Sequence, residues 1–184
     1  MNDKSLHFDS MQISKEWFEI GASKDGVEPF DVAFRFIAFW IAFNGHYAKV
    51  SSGSEHEQIE IFMKENSEKF SNLFDFDNDL KLAIFRTGPV FRGTASPNYQ
   101  TDYLHNDLSL FRSNQRDYIQ RYRDFMDTSA SYEDRLTALI FTIYDVRCNM
   151  FHGGKTPSPD RNYELVDASQ WVLEKMLIEL RKKN

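Results

Sequence analysis

A chain of 184 residues supplies one domain's worth of sequence, and 41% apolar residues are enough to give it a core. Twenty-two Lys and Arg against 28 Asp and Glu leave a net charge of −6, which excludes a generally basic nucleic-acid coat protein. One cysteine, Cys148, excludes an internal disulfide framework or a cysteine-rich zinc site and suits a reducing compartment.

Residues 1–14 carry charges among isolated apolar residues, without the apolar core of a signal peptide, so the expected location is cytoplasmic. The first predicted helix runs from Met11 to Ser23 with Ile13, Trp17 and Ile20 on one face. The second, Phe30 to Val50, follows Pro29 and is apolar nearly all round, with its most apolar stretch, Val32 to Phe43, broken by Arg35. It reads as the central helix of a bundle and falls short of the roughly 18 apolar residues a membrane span requires. Helices are expected over Glu55–Phe74 and Asp79–Phe85, then a loop from Thr87 to about Gln100.

A three-four repeat of Leu104, Leu108, Phe111, Gln115, Tyr118, Tyr122 and Phe125 predicts one long helix over Asp102–Met126. Ser131 and Asp134 form a capping-box pattern for a helix ending near His152, before Gly153 and Gly154. Ser158, Pro159 and Asp160 open the last helix, and Arg181, Lys182 and Lys183 close it. Nowhere does the pattern switch to strand alternation. The expectation is a single all-α helical bundle over residues 1–184, with four to five core helices and short extra ones.

On the Ser131–His152 helix, Leu136, Ile140, Ile143 and Met150 define a stripe, and Arg147 falls in its middle. A guanidinium there must be paired, line a cavity or meet a subunit interface. Asp145 and Asn149 lie on the side of His152, near enough to orient one imidazole tautomer. The bland alternative is a core ion pair for Arg147 and a dipole-favouring histidine at a helix end.

The string Tyr144-Asp-Val-Arg147-Cys-Asn149-Met-Phe-His152-Gly-Gly-Lys155 resembles the Arg-x-x-x-x-His signature of the HEPN superfamily. Phe39-Trp40-Ile-Ala-Phe-Asn44-Gly-His-Tyr47 is similar to the apolar second helix of bacterial HEPN-like proteins. The resemblance implies a homodimer with a composite active site and a metal-independent endoribonuclease of toxin–antitoxin or anti-phage defence. Its partners would be an RNA substrate and an antitoxin or defence-system protein, with no cofactor and no metal. It makes His152 the acid or base at the ribose 2′-hydroxyl or leaving 5′-oxygen, Arg147 the phosphate ligand and Asn149 a polar participant. The chain departs from the family at Cys148, where a polar residue is common, and at Gly154, where a modifiable tyrosine is often found.

Charge is uneven. Residues 86–123 hold six arginines and three aspartates, and Arg112, Arg116 and Arg123 fall on one side of the predicted helix. With Phe91 and Arg92 in the loop, and Lys155 beyond the glycines, they suit a path for single-stranded RNA. A solvated face paired with nearby acids is the simpler reading. Asn44, beside Trp40, is expected either to fix helix register or to support Arg147. His56 and Glu60 make the best metal-ligand spacing, without a third ligand. A non-catalytic module that binds nucleotide, RNA or protein with the same bundle is the competing function.

Overall fold

The structure is a computed structural model that describes residues 10–26, 28–48, 53–92, 101–151 and 161–182. Among these it is all helical: α1 (Ser10–Ala22), α2 (Pro29–Tyr47), α3 (Glu55–Glu65), α4 (Ser67–Phe70), α5 (Ala83–Arg86), α6 (Ser113–Met126), α7 (Tyr132–Phe151) and α8 (Arg161–Arg181), with no strand. No helix among the described residues is long and apolar enough to cross a membrane.

Helix α2 is central because its apolar run leaves no face for water. Phe36, Phe39, Trp40, Phe43 and Tyr47 are buried, packed between α1 and α8 with α3 alongside. Gly45 permits the approach of α1, since a Cβ there would stand 2.6 Å from the Ser10 carbonyl oxygen and 2.9 Å from Ser14 Cβ. Arg35, the one charge in the run, leaves the core on the α8 side. Its Nη2 donates to both Glu174 carboxylate oxygens at 2.9 Å, Nε to Gln170 and Nη1 to the Lys24 carbonyl.

Local hydrogen bonds set the breaks. Asn66 donates from both its backbone and its side chain to the Phe62 carbonyl, and this ends α3, so the single helix expected over Glu55–Phe74 is two. The long helix expected over Asp102–Met126 is likewise only its second half. Asp102 Oδ1 accepts from the amides of Leu104 and His105, and Asp107 Oδ1 from that of Ser109. These carboxylates compete with helical pairing. Phe111 and Arg112 are then extended, and α6 begins at Ser113. Arg123, counted toward an arginine stripe, turns to this segment instead, donating to the carbonyls of Tyr103 and Asn106. Ser131 caps α7 as expected, accepting from the Asp134 amide at 3.1 Å.

Helix α7 lies between α3, α6 and α8, and it is buried on more sides than one stripe allows. Leu136, Ile140 and Ile143 face the core as expected. Toward the C-terminal end burial moves to the other side of the helix, to Tyr144, Asp145, Val146, Cys148 and Asn149. There Arg147 and Met150 are only half-buried and Phe151 is 53% exposed, so the stripe on which Arg147 was placed opens to solvent in its last turn.

Candidate functional site

Arg147 stands where α7 leaves the core. Its Cζ lies 5.0 Å from the ring centroid of Phe151, 5.9 Å from that of Tyr144 and 6.0 Å from that of Trp40. The side chain is 27% exposed, and Nη1 reaches Glu55 Oε2 at 3.9 Å and the Cys148 sulfur at 3.8 Å. Its Nε is buried with no hydrogen-bond partner among the described residues. A guanidinium presents five donors, and this one is walled by π faces, faces one carboxylate at long range and retains a buried donor unmet.

Glu55 is itself held. The Tyr47 hydroxyl donates to its Oε1 at 2.7 Å, and the Asn44 side-chain amide donates to the Tyr47 oxygen at 3.0 Å. Burial, reinforced by Glu55, pushes the Tyr47 phenol well above its ordinary value, so it stays a neutral donor. Burial and the charge of Glu55 raise the Tyr144 phenol too. Asn44 therefore supports Arg147 through Tyr47 and Glu55, not by touching it.

On the far side of Tyr144, Asp145 is 1% exposed and accepts from Arg92 Nε at 2.8 Å and Arg121 Nη1 at 2.5 Å. Burial pushes the Asp145 carboxyl above its usual range, and the two guanidinia pull it back. The Arg92 Cζ sits 4.7 Å from the Tyr144 ring centroid, and its side chain is 37% exposed. The Asn149 side-chain amide donates to the Phe91 carbonyl at 2.9 Å. Asp145 and Asn149 thus fasten the segment before Gly93 onto α7. Phe91 is 3% exposed against Tyr103 and Tyr118, which removes it from any role in stacking bases.

The structure brings together Arg147, Asn44, Asp145, Asn149 and Arg92, all along one end of α7. Arg112 and Arg116 are exposed at the start of α6, where Arg116 Nε donates to the Phe111 carbonyl at 3.2 Å. His152 and Lys155 lie outside the described residues, as do Gly153, Gly154 and the Ser158–Asp160 helix start. Glu55 and Tyr47 carry no signal of this role in the sequence. Glu55 heads α3 in a pattern that reads as a solvated first turn, and Tyr47 passes for one more apolar residue of α2.

Among the described residues no three His, Cys, Asp or Glu side chains form a group able to hold a metal ion. An open cleft of about 470 Å³ between α3, α6 and α7 is lined by Glu60, Asp124, Asp127, Glu133 and Asp134 against Lys64 and Arg121, a charge balance that repels phosphate. The cationic groups at the C-terminal end of α7 are the better place for an anion. Compared with protein-family models, curated proteins and solved structures, the chain matches none.

Proposed function

We propose that the chain is a metal-independent endoribonuclease of HEPN type that cleaves RNA by attack of the ribose 2′-hydroxyl on the adjacent phosphodiester. The observation that carries this reading is Arg147, a half-buried guanidinium with an unmet donor, five residues before His152 in an Arg-x-x-x-x-His string. Arg147 would donate to the non-bridging phosphate oxygens, whose negative charge grows as the 2′-oxygen adds to phosphorus. The P–O5′ bond then breaks, leaving a 2′,3′-cyclic phosphate and a 5′-hydroxyl. One proton must leave O2′ and one must reach O5′. His152 is assigned to this proton transfer because an imidazole titrates near neutrality.

Asn149 and Asp145 enter as supports that hold the Phe91–Arg92 segment, with Arg92 and Lys155 as phosphate contacts. Arg112 and Arg116 extend the cationic path along α6. The resemblance further suggests a homodimer in which two sites meet, a cytoplasmic setting, and an antitoxin or defence-system partner.

The test is incubation of the purified protein with RNA in excess chelator. Cleavage should occur and should fall by about two orders of magnitude or more in Arg147→Ala and in His152→Ala. A requirement for Mg²⁺, or cleavage that survives both substitutions, overturns the mechanism. RNA that binds but stays intact would make the chain a non-catalytic module. A monomer in light scattering at micromolar concentration overturns the shared site.

A further inference from the structure

The residue after Glu55 carries a second imidazole into the same neighbourhood. His56 lies in the first turn of α3, its ring stacked on Phe141 at 4.7 Å between centroids and 19° between planes, and edge-on to Tyr144 at 4.9 Å and 88°. These two contacts fix the ring plane, yet no group among the described residues hydrogen-bonds either ring nitrogen. Among the described residues His56 therefore has orientation without a hydrogen-bond partner. Packing alone would be served as well by a phenylalanine.

Its surroundings are ionic. Arg121 and Asp117 face it from α6, Arg92 from the segment after α5, and Glu55 from α3, while Tyr144 presents its ring from α7. Burial, then Arg121 and Arg92, hold the imidazole below its ordinary value, against the opposing pull of Glu55 and Asp117. At neutral pH the ring is therefore neutral and a nitrogen lone pair is available. The Tyr144 ring is shared: the His56 ring lies 4.9 Å from it, the Arg92 Cζ 4.7 Å and the Arg147 Cζ 5.9 Å. One aromatic platform gathers two guanidinia and an oriented imidazole from three separate stretches of chain.

We propose that His56 contacts the RNA sugar–phosphate backbone held by Arg147 and Arg92 and is the base that accepts the 2′-hydroxyl proton. This rests on the ribonuclease reading and divides its proton transfers between two residues. As O2′ bonds to phosphorus, its proton passes to the neutral His56 ring. As the P–O5′ bond breaks, O5′ takes a proton from the general acid of that reading, and acid and base then exchange protons with water to restore the starting state.

The experiment has two arms on the full chain. In chelator, His56→Phe keeps the aromatic stack and removes the base. Cleavage should fall about 10²- to 10⁴-fold, as far as in His56→Ala, and the acidic limb of the rate–pH profile should disappear. In the second arm, histidine-ring NMR follows His56, assigned with His56→Gln, as pH is varied with and without a 2′-O-methyl RNA that cannot be cleaved. The free ring should titrate below about 6.5 and move upward when RNA phosphate is bound, since a nearby anion favours imidazolium. Cleavage by His56→Phe within threefold of wild type, or a ring that RNA does not move, overturns the proposal. If the wild type cleaves nothing while RNA still shifts the ring, the ribonuclease reading and the base role fall and the backbone contact stands. If neither occurs, both fall.

Discussion

Arg147 and Glu55 face each other at 3.9 Å, from near the C-terminal end of α7 and the first turn of α3. That separation is too long for a good hydrogen bond, although Tyr47 holds Glu55 firmly from behind at 2.7 Å. The carboxylate orients the guanidinium without satisfying it.

Glu55→Gln should therefore strengthen RNA binding. Removing one negative charge about 4 Å from Arg147 at a partly exposed position is worth about 1 kcal/mol, or about fivefold in affinity. The Gln oxygen still accepts from Tyr47, so the fold should be kept. Fluorescence anisotropy with labelled single-stranded RNA, at fixed salt, checks this. Weaker binding would mean that Glu55 serves Arg147 more as an anchor than as a competitor.

Asp145→Asn should destabilise the protein. It leaves Arg92 and Arg121 sharing a buried site without their counter-ion. A fully buried pair broken in this way costs about 3–5 kcal/mol, and the partial exposure of both arginines reduces the expectation to about 2 kcal/mol. Urea unfolding measures it. Amide exchange near Phe91 should also rise, because the Arg92 tie is lost while the Asn149 bond remains.

Two histidines predict the slope of stability with pH. Burial lowers both His46 and His56 in the folded chain, with Lys69 and Arg181 adding to the first and Arg121 and Arg92 to the second. The unfolded chain takes up protons first, near its ordinary value of about 6.5, so the folded state binds fewer and stability rises with pH in that window. The contribution is complete above about 6.5 and is lost as pH falls toward the lowered folded values. The melting temperature should drop from pH 7 to pH 5, and the drop should be smaller in a His46→Gln, His56→Gln double variant. An equal drop in both proteins would contradict this.

Much of the fold is written locally. The apolar run after Pro29 places α2 at the centre, and Ser131 with Asp134 starts α7, because each depends on neighbours in sequence. The repeat from Leu104 to Phe125 misleads, since periodicity is blind to carboxylates such as Asp102 and Asp107 that draw backbone amides out of helix. The site is legible only in part. Arg147 is marked by its stripe, but Glu55, Tyr47 and His56 reach it from α2 and α3 across the fold, and no spacing along the chain announces such a meeting. Asp145 shows the same limit. A helical wheel gives α7 one inner face, whereas packing by α6 and the segment before Gly93 gives it a second.

The most direct measurement is the mass of the RNA ends formed by the purified protein in excess chelator, wild type beside Arg147→Ala. The wild type should yield fragments ending in 2′,3′-cyclic phosphate with 5′-hydroxyl partners, and the variant essentially none. Intact RNA, fragments bearing 5′-phosphates, or the same fragments from both proteins would contradict it.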